Sequence, residues 1–501
     1  MFQKIIAFFK SLFGGKKRKP APTSTNTSTA GTKQTSGTKT KTNTPPPTTT
    51  APQVEKPIVK EPVNFTPPTA TLYLGCFDKG VDRAKITALL KIYHQRMSGI
   101  PDSVKYTKFR HGDLTDWVDP KEVAGNPVAV LQGFLRDAEL LPADSNIDGI
   151  FDYTTQAGVR LFQEYIRTID KDTSIGIPDG VIGKNGWKHV KKWKEAHKTA
   201  KAWKRGQASA EYNKWINLMG QARKHYQNNS HIILDKVNAK VAKLGMDKVD
   251  TLSIDHWKVE GNHIHLIGIR RKEEKREKNS LRKNDDLFIL LIDGMVFKFW
   301  GSTDPNYKAK SRKDEAFLVE GQHKFRFGWH NRSVSNQKKV YQGLNPYNNG
   351  VLVFRDRDND DKLTDADIIS KGIDEAPNNT INIHWTGAGQ GASGTWSAGC
   401  QVFAGKNYIN NNGDLIDCSK FAAIGSADLK NNASAASLSK TKAAYNMFTD
   451  LLILYRPKNI DYLYYTLGRD DIFAHKFVVD LSGDDILSDT LKVFDLPDDL
   501  V

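Results

Sequence analysis

"INIHWTGAGQGASGTWSAGCQVF" (residues 381–403) opens and closes on short apolar runs and carries glycine and other small residues between them. The middle is too rich in glycine for a helix and too loose for one continuous strand. The stretch reads as strand, loop, strand. His384 ends the first strand, and Cys400, sixteen residues on, begins the second. The flanks continue the pattern. From about residue 250 the chain runs "HIHLIGIRR", "DLFILLIDGMVFKFWGST", "HKFRFGWHN" and "GVLVFRDRD". These are short alternating runs punctuated by Asp-Gly, Asn and Pro, as strands are. "AAYNMFTDLLILYRP" and "IDYLYYTLGRD" then supply a helix and a closing strand. The C-terminal half is expected to be mainly β with a few helices.

A cysteine is mostly thiol at neutral pH, and the thiolate is the nucleophile. A neighbouring imidazole takes the proton and the resulting charge pair holds the sulfur. Here the strand fixes His384, the loop brings the chain back, and Gly399 permits a tight turn before Cys400. Small loop residues would leave open space for a substrate beside the sulfur. The amides of Gly399 and Cys400 would face an oxyanion, with Ser397 in hydrogen-bonding reach. The competing reading is a His and a Cys that are plain core or surface residues with no shared role. His330 in "FGWHN" is a further candidate for the cleft, weighed against a structural role. Cys76 and Cys418 read as buried reduced thiols, since three cysteines make no disulfide framework.

Upstream, residues 126–186 read as helix, Asp-Gly turn, helix, Asp-Gly turn, helix. Val130, Leu131, Phe134 and Leu135 form one apolar stripe, and Val159, Leu161, Phe162 and Ile166 another. "NIDGIFDYTT" places Thr154 or Thr155 as the helix N-cap, and "IPDGVIGKNG" repeats the turn. Residues 187–247 are helical and strongly charged. Residues 1–15 form an amphipathic helix with Phe2, Ile5, Ile6, Phe9, Leu12 and Phe13 on one face, followed by the basic cluster Lys16–Lys19. Lys4 and Lys10 interrupt what would be the apolar core of a signal peptide. The helix suits either an anionic membrane surface or docking on a protein, such as delivery machinery or its own domain. The Thr/Pro/Lys-rich stretch over 16–68 buries too little to order itself. The expected division is 1–15, 16–68, 69–195, 196–247, 248–470 and an acidic tail over 471–501.

The formal net charge of +16 favours polyanionic partners. No zinc knuckle, RNA-recognition signature or basic zipper is present, so nucleic acid is not the expected partner. No stretch approaches the roughly 20 apolar residues that span a bilayer. "DRDNDDKLTDAD" sets Asp356, Asp358, Asp360 and Asp367 near EF-hand spacing, but position six is Asp361, not Gly, and position twelve is not Glu. An acidic strand-end loop competes with calcium there, and no cofactor is expected.

Two resemblances follow from these motifs. "VLQGFLRDAELL", "IDGIFDYTTQAGVRLFQ" and "PDGVIGKNGW" resemble the small three-helix peptidoglycan-binding domain of cell-wall enzymes. The resemblance implies a wall-binding groove near Asp148, Phe151, Tyr153 and Gln163; the alternative is a helical bundle with no ligand. "IH", with the Cys of "SAGC" sixteen residues after the His, resembles the motif of L,D-transpeptidases of the YkuD type, over about 200 residues. It implies Cys400 as nucleophile, His384 as base, and the backbone at Trp385 as the group orienting the imidazole. Ser397 and Gly399 fall on the motif's Ser and Gly, and Trp396 is a candidate substrate contact. Ala398 stands where the family has His, and Val402 where it has Arg or Asn.

The fold class expected is multidomain α+β, a peptidoglycan-binding-like helical domain plus a mainly β L,D-transpeptidase-like domain. The function implied is acyl transfer or hydrolysis on peptidoglycan stem peptides, in the periplasm or cell wall, reached by a non-Sec route as an effector or lysin. The alternative is a non-catalytic wall-binding part of an envelope-spanning or phage-like injection machine, favoured by Ala398 and Val402. A plain polyanion binder has only charge behind it.

Overall fold

The computed structural model describes residues 64–86, 120–270, 282–305, 316–334, 337–355, 357, 366–394, 397–423, 440–457 and 460–469. The helix expected over 1–15, most of the 16–68 linker, Trp396, most of the acidic loop and the 471–501 tail lie outside them.

The described chain starts with β1 (Cys76–Asp78), which pairs in parallel with β2 (Lys121–Val123). Asp78 then caps the first helix, α1 (Pro127–Asp137): its two carboxylate oxygens accept from the N–H groups of Val128 and Ala129, both at 2.8 Å. Pro127 suits that end because its missing N–H has no helical partner there. α2 (Tyr153–Thr168) is capped by Asp152, which accepts from the Thr155 N–H at 2.8 Å. Thr154 and Thr155, expected at the cap, lie inside the helix, because the carboxylate is the better acceptor at a positive helix end. α3 (Lys184–Glu195) completes the trio. Phe134, Phe162, Trp193, Tyr165 and Trp203 meet edge to face at its centre, with ring centroids 5.0–5.2 Å apart along the chain.

The module is a tandem repeat. Gln132 donates to Asp148 Oδ1 and the Ile150 carbonyl and accepts from the Gly149 N–H, each at 3.0 Å. Gln163, 31 residues later, does the same to Asp179, Val181 and Gly180, at 2.9, 3.0 and 2.9 Å. Each helix glutamine clamps the Asp-Gly turn that follows its helix. The turns need glycine: φ is 70° at Gly149 and 78° at Gly180.

α4 (Ala210–Asn228) and α5 (Ile232–Leu244) lead into the β part. Its strands are β3 (Thr251–Leu252), β4 (His265–Arg270), β5 (Arg282–Lys283), β6 (Asp286–Ile292), β7 (Met295–Ser302), β8 (Ala316–Leu318), β9 (Gly321–Val334), β10 (Gln337–Pro346), β11 (Val353–Arg355), β12 (Ile383–Trp385), β13 (Ser393–Gly394), β14 (Gln401–Ile409), β15 (Leu415–Asp417) and β16 (Tyr462–Arg469). Among the described residues eight of them close a ring in the order β9, β10, β12, β14, β7, β6, β4, β16 and back to β9. β12–β14 and β4–β16 are parallel, and the other pairs of the ring are antiparallel. The Asp-Gly read from the sequence makes the β6–β7 hairpin, with φ of 50° at Asp293 and 82° at Gly294, as a two-residue turn of that twist requires.

Side chains alternate across the ring. Phe288, Phe299, Phe325, Ile383, Phe403 and Tyr465 line the inside. Phe448 of α6 (Ala444–Tyr455) stacks on Phe403 with centroids 4.4 Å apart. Ile289, Val296 and Trp300 point outward, against Trp215 and Leu218 of α4. The helical module and the barrel share one apolar core. A buried ion pair crosses their seam: Arg160 of α2 holds Asp450 of α6 through two bonds of 2.8 and 2.7 Å. Beside it Tyr408 donates to Glu164, which also pairs with Arg167. The chain is thus α+β, a helical module joined to a β-barrel.

Candidate active site

β12 and β14 run parallel, with Ile383 opposite Gln401 and His384 opposite Val402. Ile383 and Phe403 face the barrel core, so Asn382, His384, Cys400 and Val402 share the outer face. The Gln401 N–H bonds the Asn382 carbonyl at 2.8 Å, which extends the pairing one step below the strands. His384 and Cys400 are therefore diagonal neighbours on one face. Gly399 sits at φ 147°, and a Cβ there would meet the Ala316 carbonyl oxygen and Ile381 Cδ1, both at 2.9 Å. Only glycine lets the chain press against β8 and deliver Cys400 at the start of β14.

The sulfur is half-buried. It accepts from the Asn382 N–H at 3.3 Å and donates to the Thr380 carbonyl at 3.5 Å. Burial pushes the thiol pKa above its ordinary value, while the Ser397 hydroxyl and the Asn382 amide oppose the rise. The sulfur thus rests as thiol and needs a base to attack. One expectation is corrected. The Cys400 N–H donates to Ser397 Oγ at 2.9 Å, so this amide is engaged locally and is not turned toward an oxyanion.

His384 is buried, and its Nδ1 lies 3.1 Å from the Trp385 carbonyl oxygen. A carbonyl only accepts, so Nδ1 carries the proton and Nε2 is the basic nitrogen. A second imidazole, His330 of β9, stacks on His384 with centroids 4.2 Å apart and planes 20° apart. Asn382 Nδ2 bonds His330 Nδ1 at 3.1 Å, and Asn345 Nδ2 bonds Asn382 Oδ1 at 2.6 Å. Two glycines make this possible. A Cβ at Gly343 would meet His330 Cβ and the Ile383 carbonyl oxygen at 3.2 Å, and one at Gly328 would meet Asn345 Oδ1 at 2.0 Å. Asn345, Asn382, Gly328 and Gly343 carry no motif; only the register of β9, β10 and β12 brings them together.

The glycine-rich loop is packed, not open as expected. Thr386, Ala388 and Gln390 are buried. Asn284 holds the loop by donating to the Gly389 carbonyl at 3.0 Å and accepting from the Gly391 N–H at 3.1 Å. The small residues serve close packing: a Cβ on Gly389 would meet Lys406 Cδ at 2.8 Å.

In the helical module the groove residues divide. Asp148 is exposed and Tyr153 half-buried. Phe151 and Gln163 cannot line a surface groove: Phe151 is 0% exposed in the aromatic core, and Gln163 spends its amide on the 179–181 turn. The module's surface opens elsewhere, in a cavity of about 600 Å³ lined by Asp172, Ser174, Lys188, His189 and Lys192. Asp356, Asp358 and Asp360 lie outside the described residues, and Asp367 heads a short helical turn, buried. Among the described residues no group of His, Cys, Asp or Glu is arranged to hold a metal ion. Comparison with models of protein families, with curated proteins and with solved structures returned no match.

Proposed function

We propose that the protein is a cysteine-dependent acyl-transfer enzyme of the L,D-transpeptidase type, acting on peptidoglycan stem peptides outside the cytoplasm. One observation carries the reading. Cys400 and His384 lie on one face of adjacent parallel strands, with His384 Nδ1 engaged by its neighbour's carbonyl and Nε2 left basic. In the reaction Cys400 Sγ attacks a stem-peptide carbonyl while His384 Nε2 takes the thiol proton. The tetrahedral adduct collapses, and the same proton passes to the departing amine of a D-residue. The thioester left on Cys400 goes to an acceptor amine, which makes a cross-link, or to water, which trims the stem. These steps use only thiol and imidazole, so no cofactor enters them. The helical module is read as the wall-binding part, with its lysine-lined cavity as the surface that meets an anionic polymer. Among the described residues no helix is long and apolar enough to cross a membrane.

Mass spectrometry of purified muropeptides incubated with the protein and with Cys400→Ala tests the reading. Products are expected from the first alone, and identical product sets would overturn it. A second reading, a non-catalytic wall-binding component, draws support from the engaged Cys400 amide and the raised thiol pKa. Muropeptide binding without turnover by either form would favour it.

A further inference from the structure

We propose that His330 is a positioning residue for His384, kept neutral by the amide chain Asn345–Asn382; the proposal rests on reading His384 as the base. The polarity of the chain fixes the proton. Asn345 Nδ2 donates to Asn382 Oδ1, so the other end of the Asn382 amide, an NH2 group that only donates, faces His330 Nδ1. Nδ1 of His330 must therefore carry a lone pair, and the ring proton sits on Nε2. A protonated His330 would set an N–H against an NH2 group. It would also place a cation 4.2 Å from the imidazolium that His384 becomes when it takes the thiol proton. A neutral ring instead offers its π face to that imidazolium, a favourable contact.

A charged neighbour reinforces neutrality. Arg326 lies on the face of β9 that carries His330. It is a cation and opposes a second positive charge on that face. Asn382 ties the parts together, because its backbone N–H bonds Cys400 Sγ while its side chain holds the ring that braces His384. One residue thus sets both the sulfur and the support of its base. Gly343 is the opening through which His330 reaches His384 across β10.

The test is the pH profile of Cys400 alkylation by iodoacetamide on the full chain, read by mass spectrometry, for the wild type, His330→Ala and His330→Phe. His330→Phe keeps the stack and loses the acceptor nitrogen. His330→Ala is expected to slow alkylation at pH 7 about tenfold and move the midpoint to higher pH. His330→Phe should recover to within about threefold. Melting temperatures establish that the variants fold, and a variant that does not fold is replaced by His330→Gln, expected to behave as His330→Ala. Superimposable profiles for wild type and His330→Ala would overturn the proposal. So would nitrogen chemical shifts showing His330 protonated at Nδ1 at neutral pH. The two readings fail separately: a wild type that never processes muropeptides sinks the enzyme, whereas unchanged alkylation with intact processing sinks only the role of His330.

Discussion

Gln132 and Gln163 in the helical module and Asn382 on the barrel are all side-chain amides at the centre of a polar cluster, yet the clusters end differently. Each glutamine spends its donor and acceptor atoms on the Asp-Gly turn after its helix, and Gln132 adds a bond to the Thr155 hydroxyl of the helix that this turn leads into, so both stay within the module. Asn382 passes its bonds along, from Asn345 to His330, and lends its backbone N–H to a half-buried sulfur. The closed arrangement holds a fold. The open one holds reactive groups, which end at the surface of the barrel. The seam between module and barrel belongs to the closed kind, since Arg160 and Asp450 satisfy each other out of solvent.

Substitutions can break this contrast or sharpen it. The largest effect is expected at the seam. Arg160→Met strands the Asp450 carboxylate in the core and should cost about 3–5 kcal/mol in denaturant unfolding. Arg160→Met with Asp450→Leu should recover most of it, because the buried charge is then gone. A single variant as stable as the wild type would place the seam among the dispensable contacts.

Next is acid. Burial pushes the His323 pKa down to about 3, with the Arg270 charge adding to it, and burial takes His265 down to about 4. Both are neutral in the fold, while the unfolded chain protonates near pH 6.5. Below that value the unfolded state binds more protons, so the stability present above pH 6.5 is lost as pH falls toward 4 and then 3. The loss should reach about 2 kcal/mol for each histidine at pH 5. His323 and His330 lie on one strand, facing opposite ways. The inward one, His323, is bonded to Thr251 and to the Val319 carbonyl. His323→Gln should flatten the pH dependence of unfolding.

The smallest effects separate the two kinds of cluster directly. Gln132→Ala leaves the Gly149 N–H unpaired and should cost about 1–3 kcal/mol with no change in Cys400 alkylation. Asn345→Ala should cost under about 1 kcal/mol, yet alter that alkylation. If the two variants exchange these phenotypes, the division between closed and open clusters is wrong.

Local features were legible in the sequence. The Asp-Gly turn at 293–294, the alternating runs of β6 and β7 and the strand–loop–strand around His384 and Cys400 all follow from nearest neighbours. What escaped needs partners remote along the chain. β9 closes the ring by pairing with β16 on one side and β10 on the other, and no local signal states that. Asn345 and Asn382 look like ordinary polar residues until the register puts them beside His330. The resemblance to a wall-binding module implies a groove near Phe151 and Gln163, but both side chains are buried in the packing of the helices and their turns. The glycines of the loop after His384 suggest open space, whereas in the fold they let the backbone approach β14 and β5 closely.

The Arg160–Asp450 pair has a consequence for geometry at longer range. A module hung on a flexible tether samples many distances from its neighbour, whereas one keyed into the barrel by a buried bidentate clasp has a single stand-off. Whatever surface the three helices offer, the span from it to the thiol works as a fixed gauge, and lengthening the chain between them would not retune it.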